Sequence, residues 1–138
     1  MKNITEEWKG AKYCLDTGEI EDWSHIVEVS NLGNVRYTEE YKASHKQIKD
    51  SPRVVYAGNT HSEYKYVRFY FKGKPKQRRM HRLVLSTFNP IHRNKKKKMD
   101  ADHIDFDHTN NKLYNLRWME RGKHSSRKRT NCTDYVFA

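Results

Sequence analysis

Hydrophobic positions along the chain follow two different periods. In HIVEVSNLGNVRY, the residues Ile26, Val27, Val29, Val35 and Tyr37 flank a Ser-Asn-Leu-Gly-Asn centre, which predicts two β-branched strands around a glycine-containing turn. In YKYVRFYFKGKPKQRRM the period is two. Val67, Phe69 and Phe71 fall on one face and Tyr66, Arg68 and Tyr70 on the other, so the first face belongs to a core. From Met80 the period lengthens: Met80, Leu83, Val84, Thr87 and Phe88 sit at helical spacing, and Asn89-Pro90 supplies a stop. A short buried helix is therefore expected after the sheet. His81 lies within that helix, and a lone helical histidine beside an apolar stripe reads as a hydrogen-bonded structural residue. Residues 38–53 show no clean strand period and run into Ser51-Pro52, predicting a polar excursion with a single helical turn.

Charge changes this picture. Over 138 residues, 28 Lys and Arg stand against 17 Asp and Glu, a net charge of +11 with a pI near 9.7, which solubility alone does not call for. A polyanion is the expected partner. No apolar run approaches the roughly 20 residues of a membrane-spanning helix, and no basic amphipathic helix is evident, so nucleic acid leads over a membrane surface. The start MKNITEEWKG has no apolar signal-peptide core, and a cytoplasmic protein with reduced thiols is expected. Cys14 and Cys132 form no CxxC pair, which removes a four-thiolate zinc site. Three Trp, nine Tyr and five Phe can fill a small core with few side chains.

The cationic positions gather in particular places. The Tyr66, Arg68 and Tyr70 face joins flat aromatics to a guanidinium and leads into the Lys72, Lys74 and Lys76 turn, a surface suited to a phosphate backbone. The run RNKKKKM adds Arg93, Lys95, Lys96, Lys97 and Lys98. A solvated linker is the plain reading of such a run. Its place directly before an acidic cluster favours a phosphate grip.

That cluster is DADHIDFDHTNNKLYNLRW, residues 100–118. Asp102 and His103 are adjacent, so on an extended chain they point to opposite faces and should have different tasks. Aspartate is a hard oxygen ligand suited to Mg²⁺ or Mn²⁺, and a neutral histidine can take a proton from water. Asp105 and Asp107 fit equally well as turn residues.

The order D-H-I-D, an N-N pair, N-L-R-W and then His124 resembles the HNH nucleases, in particular the phage and intron homing endonucleases. Upstream, EEWKG, VEVSNLGNVR and MHRLVLSTFNP resemble a NUMOD4-like DNA-binding module that precedes such nuclease domains. The resemblance runs from about Glu6 to about His124. It implies an α+β fold. Residues 1–90 would form a β-rich DNA-binding region of antiparallel hairpins with a short helix, and residues 91–138 a ββα-metal motif with a basic tail, packed as one unit. Within the motif a strand ends at Asp102-His103, a loop passes Asn110-Asn111, a second strand holds Asn115 to Trp118, and a short helix in MERGKHSSRK presents His124. AKYCLDTGEIEDWS looks like an insertion against this pattern, and the position of the first strand is left open by it.

The resemblance also implies roles. Asp102 and His124 would hold one divalent ion, Mg²⁺ foremost, with Mn²⁺ or another divalent ion as alternatives. His103 would be the general base, and Asn115 would hydrogen-bond across the loop and hold the His103 ring. Arg36, Arg117 and the cations named above would contact double-stranded DNA. The expected activity is phosphodiester hydrolysis, with nicking by a monomer favoured over double-strand cutting by a restriction-type homodimer. A non-catalytic DNA-binding regulator and a zinc-stabilised module built on His103, His108 and His124 are the rivals.

Overall fold

The computed structural model describes residues 4–48, 52–56, 64–91 and 98–122. The first valine repeat forms β4 (Val27–Ser30) and β5 (Val35–Tyr37), paired antiparallel with Val29 opposite Val35. Val27, Val29, Val35 and Tyr37 are buried, and exposed Arg36 alternates with them. The turn between the strands closes through Ser30, whose Oγ accepts from the amides of Leu32 and Asn34. Gly33 sits in it at φ +82, a conformation that a side chain rarely tolerates. On the other edge of β4 lies β1 (Trp8–Gly10), giving the order β1-β4-β5.

The segment that looked like an insertion is a hairpin of β2 (Lys12–Cys14) and β3 (Ile20–Asp22). It is integral to the fold. The amides of Lys12 and Cys14 donate to Thr87 Oγ1 and Ser86 Oγ, so hydroxyls on a helix satisfy the backbone of this short strand.

The second sheet has the order β6 (Arg53–Tyr56), β7 (Lys65–Phe71), β8 (Lys74–Arg79). Lys72 and Gly73 join β7 to β8 with φ of 52 and 75, the paired positive values of a tight hairpin turn. Val67 and Phe69 are fully buried and Tyr70 is half exposed, as the alternation requires. Trp23 closes this side of the core with its ring edge-on to Phe69 and Phe71.

The helix predicted from Met80 is α2 (Met80–Phe88), which follows the short helix α1 (Glu39–Ser44) in the polar excursion. Every α2 residue from Met80 to Thr87 is buried. Arg82, one of its buried polar members, donates to the carbonyls of Cys14 (2.7 Å) and Met99 (2.8 Å). Against α2 lies a two-stranded sheet of β9 (Met99–His103) and β10 (Leu116–Glu120), in which His103 faces Leu116, Asp102 faces Arg117 and Ala101 faces Trp118. Trp118 Nε1 donates to the carbonyl of Asn89 just past the helix.

The architecture is α+β. Val29, Phe69, Leu83, Ala101, Leu116 and Trp118 belong to one core, which draws on residues before and after position 90. Two local expectations are corrected. Asn115 ends a 3₁₀ turn (Leu113–Asn115) ahead of β10, because the loop must reverse before pairing begins, and Met119 and Glu120 continue that strand instead of starting a helix. No helix among the described residues is long and apolar enough to cross a membrane.

Candidate active site

The end of β9 delivers Asp102 and His103 in succession. The Asp102 side chain lies on the same face as that of Arg117, its direct partner on β10, because residues opposite one another in a ladder project together. Arg117 Nε and Nη2 both reach Asp102 Oδ2, at 2.9 and 2.8 Å, and the two side chains are only 1% and 7% exposed. This corrects the expectation that Arg117 reaches DNA. Its guanidinium is folded inward against a buried carboxylate and has no surface to offer a phosphate.

His103 points the other way. Its ring lies 4.6 Å, centroid to centroid, from His81 of α2 and 5.4 Å from His108, and its Nε2 is 2.8 Å from Asn111 Oδ1. Tyr64 stacks on His108 at 4.1 Å, with its hydroxyl 3.3 Å from His108 Nε2, and borders both His81 and His103. Burial pushes the His103 pKa below its ordinary value. The Asn111 hydrogen bond offsets part of this, while the neighbouring His108 adds to it. Burial pushes His81 well below, helped by His103 and by Arg79. Burial thus favours the neutral form of both rings.

The loop between the strands is tied by its own polar side chains. Asn115 Oδ1 accepts from the amide of Asp105 (3.1 Å), and Asn115 Nδ2 donates to Asp105 Oδ1 and to the carbonyl of Asn110 (both 2.9 Å). Asp105 also accepts from the Asp107 amide and from Asn110, and Asp107 accepts from Thr109. Burial alone would raise the Asp105 pKa, yet the bonds from Asn110, Asp107 and Asn115 hold it below the usual range. Asn115 does hydrogen-bond across the loop, but it does not touch the His103 ring. Asn111 makes that contact, because the 3₁₀ turn carries Asn115 toward Asp105.

Sequence reasoning assigned no site role to His81, Tyr64 or Asn111. The N-N pair carries no sign of which amide meets the ring, and nothing local indicates that α2 presses His81 against β9. The cationic positions divide. Lys72, Lys74 and Lys98 are exposed, and Tyr66, Arg68 and Lys76 are partly so. Arg68 bonds Gln77 across the sheet, and Arg36 pairs with Glu28 and lies 3.9 Å over the Trp8 ring. Arg68 and Tyr70, with Arg53, Gln47, Ile48 and Tyr37, border a cleft of about 750 Å³. His124, Arg93, Lys95, Lys96 and Lys97 lie outside the described residues. Among the described residues no three His, Cys, Asp or Glu side chains are grouped to hold a metal ion.

No protein-family model matches the chain, and no curated protein does. The HNH homing endonuclease I-HmuI, in a structure concerned with its DNA binding and cleavage, is similar in fold: the TM-score is 0.59 at 22% identity, over 87% of this chain. The match spans 56% of that protein's chain. The likeness is one of fold, and it lends no support to a NUMOD4-like module upstream.

Proposed function

We propose that the protein is a metal-dependent DNA endonuclease of the HNH homing or free-standing phage type, which hydrolyses one phosphodiester per docking event and so nicks duplex DNA as a monomer. The observation that carries this reading is the buried His103 imidazole that follows Asp102 at the end of β9 and is held by Asn111, in a fold similar to that of I-HmuI.

His103 is the general base. A neutral imidazole has a nitrogen lone pair that can take the proton of an attacking water, and burial favours that form. Asp102, with His124 beyond the described residues, would hold the divalent ion. The Asp102 carboxylate suits Mg²⁺, which keeps several waters and takes one or two carboxylates together with substrate phosphate oxygens, whereas an imidazole at His124 is a donor suited to softer divalent ions. Arg117 Nε donates to Asp102 Oδ2, and Nη2 lies 2.8 Å from the same oxygen, so the guanidinium fixes the orientation of the carboxylate. When bound, such an ion supplies electrostatic stabilisation of charge on the scissile phosphate and the leaving oxygen. Asn115 holds the loop that separates the two strands, and Lys72, Lys74, Lys76 and Lys98 give the surface its attraction for the phosphate backbone.

A regulator that had lost catalysis would be expected to lack Asp102 or His103, and both are present. The test is incubation with supercoiled plasmid and Mg²⁺, with and without chelator, for the wild type and His103→Ala. Relaxed circles should form with Mg²⁺ only, and His103→Ala should cut about 10²–10⁴ times more slowly while binding DNA nearly as well. Cleavage by His103→Ala at the wild-type rate would overturn the assignment. Linear product from coincident cuts by a 2:1 complex would replace the nickase by the dimeric reading.

A further inference from the structure

We infer that Asn111 is the residue that positions His103, that it leaves Nδ1 as the ring atom able to take a proton, and that the β4–β5 turn of the N-terminal sheet holds Asn111 in place. The inference rests on the nuclease reading for what the ring does, but not for how it is held.

Three observations support it. Nε2 of His103 faces Oδ1 of Asn111 at 2.8 Å, with both residues about 95% buried. With Oδ1 as the facing atom, which can only accept, the hydrogen is assigned to Nε2 and the lone pair of a neutral ring to Nδ1. His81 packs against the same ring at 4.6 Å and restricts its tilt, so the hydrogen bond selects between few orientations.

The second link runs through the backbone. The amide of Leu113 donates to the carbonyl of Asn31 at 2.8 Å, stitching the active loop to the β4–β5 turn. At Gly33 the two segments approach so closely that a Cβ would lie 2.9 Å from the Asn111 carbonyl oxygen and 3.2 Å from its Cβ. Asn31 is itself anchored, accepting from the amide of Glu7 and donating to the carbonyl of Thr5. The amide that meets His103 is thus seated on a turn from the opposite end of the sequence. Asn115 performs a separate task, bracing the loop at Asp105 and Asn110.

The experiment is a long-range ¹H–¹⁵N correlation of the histidine side chains in the full-length labelled protein at pH 7.5, with His103 identified by its loss in His103→Gln. Plasmid nicking is measured on the same preparations. The wild type should show His103 as the Nε2–H tautomer. Asn111→Asp keeps an acceptor oxygen and should keep the tautomer, whereas Asn111→Leu should lose it and nick about 10–100 times more slowly. Gly33→Ala should shift the His103 resonances although Gly33 does not touch the ring. An Nδ1–H tautomer in the wild type would overturn the proposal without any variant, as would Asn111→Leu nicking at the wild-type rate. If the tautomer and its response to substitution are as expected but no preparation cleaves, the positioning stands and the nuclease reading falls.

Discussion

Asp102→Ala should cost the fold heavily before it costs any chemistry. The carboxylate faces a guanidinium across two strands, at 2.8–2.9 Å, and the two side chains are 7% and 1% exposed. Two unit charges about 4 Å apart attract by about 4 kcal/mol at an effective dielectric of about 20. Breaking a buried pair by removing one partner costs a similar amount, about 3–5 kcal/mol, because the remaining charge stays out of water. With a urea slope of about 2 kcal/mol/M, an ordinary value for a small protein, the unfolding midpoint should fall by about 2 M. Asp102→Asn keeps an oxygen for the guanidinium and should fall less. The informative variant is Asp102→Ala with Arg117→Met, which removes both charges and should recover most of the lost stability. Under the nuclease reading it should recover no cleavage, since the carboxylate that would hold the ion is gone. Urea unfolding followed by tryptophan fluorescence reads stability, and plasmid nicking reads activity. A midpoint for Asp102→Ala within about 0.5 M of wild type, a loss of about 1 kcal/mol at that slope, would refute the account of a desolvated pair.

Stability should depend on pH through two histidines. Burial holds the pKa values of His81 and His103 below 6.5, so between pH 6.5 and those lowered values the unfolded chain binds protons that the folded one does not, and stability falls as pH drops through that window. Urea midpoints at pH 7.5 and 5.5 check this, and a His81→Gln variant should flatten the difference; an unchanged midpoint in the wild type would contradict it. Gly33→Ala should destabilise by about 1–3 kcal/mol, since it forces a side chain into a positive φ against the Asn111 backbone, and a melting temperature equal to wild type would remove that strain. Replacing Lys72, Lys74 and Lys76 by Gln should weaken binding to all duplexes alike, and the log-log salt slope should fall by about 0.9 for each phosphate that is no longer neutralised. An unchanged slope would place these lysines away from the DNA.

How far the sequence reaches is seen by comparing particular elements. Val67 and Phe69 alternate with Arg68, and Met80, Leu83 and Val84 recur at helical spacing, so β7 and α2 stand where their periods put them. The β2–β3 hairpin carries no such period. Its first strand is held by hydroxyls of Ser86 and Thr87 far along the chain, and so AKYCLDTGEIEDWS reads as an insertion.

At the site, sequence by itself determined the chemistry available: a carboxylate beside an imidazole, amides nearby, and an excess of cations. These are properties of residue types and of adjacency along one strand, and they survive without any knowledge of packing. Only the tertiary structure decided how each group is used. Register across β9 and β10 turned Arg117 inward onto Asp102, where its charge alone had suggested a phosphate partner. The 3₁₀ turn sent Asn115 to Asp105 and left the His103 ring to Asn111, and the packing of α2 brought in His81. Interactions of this kind depend on the direction of a side chain relative to a partner distant in sequence, and no local period or spacing encodes that direction.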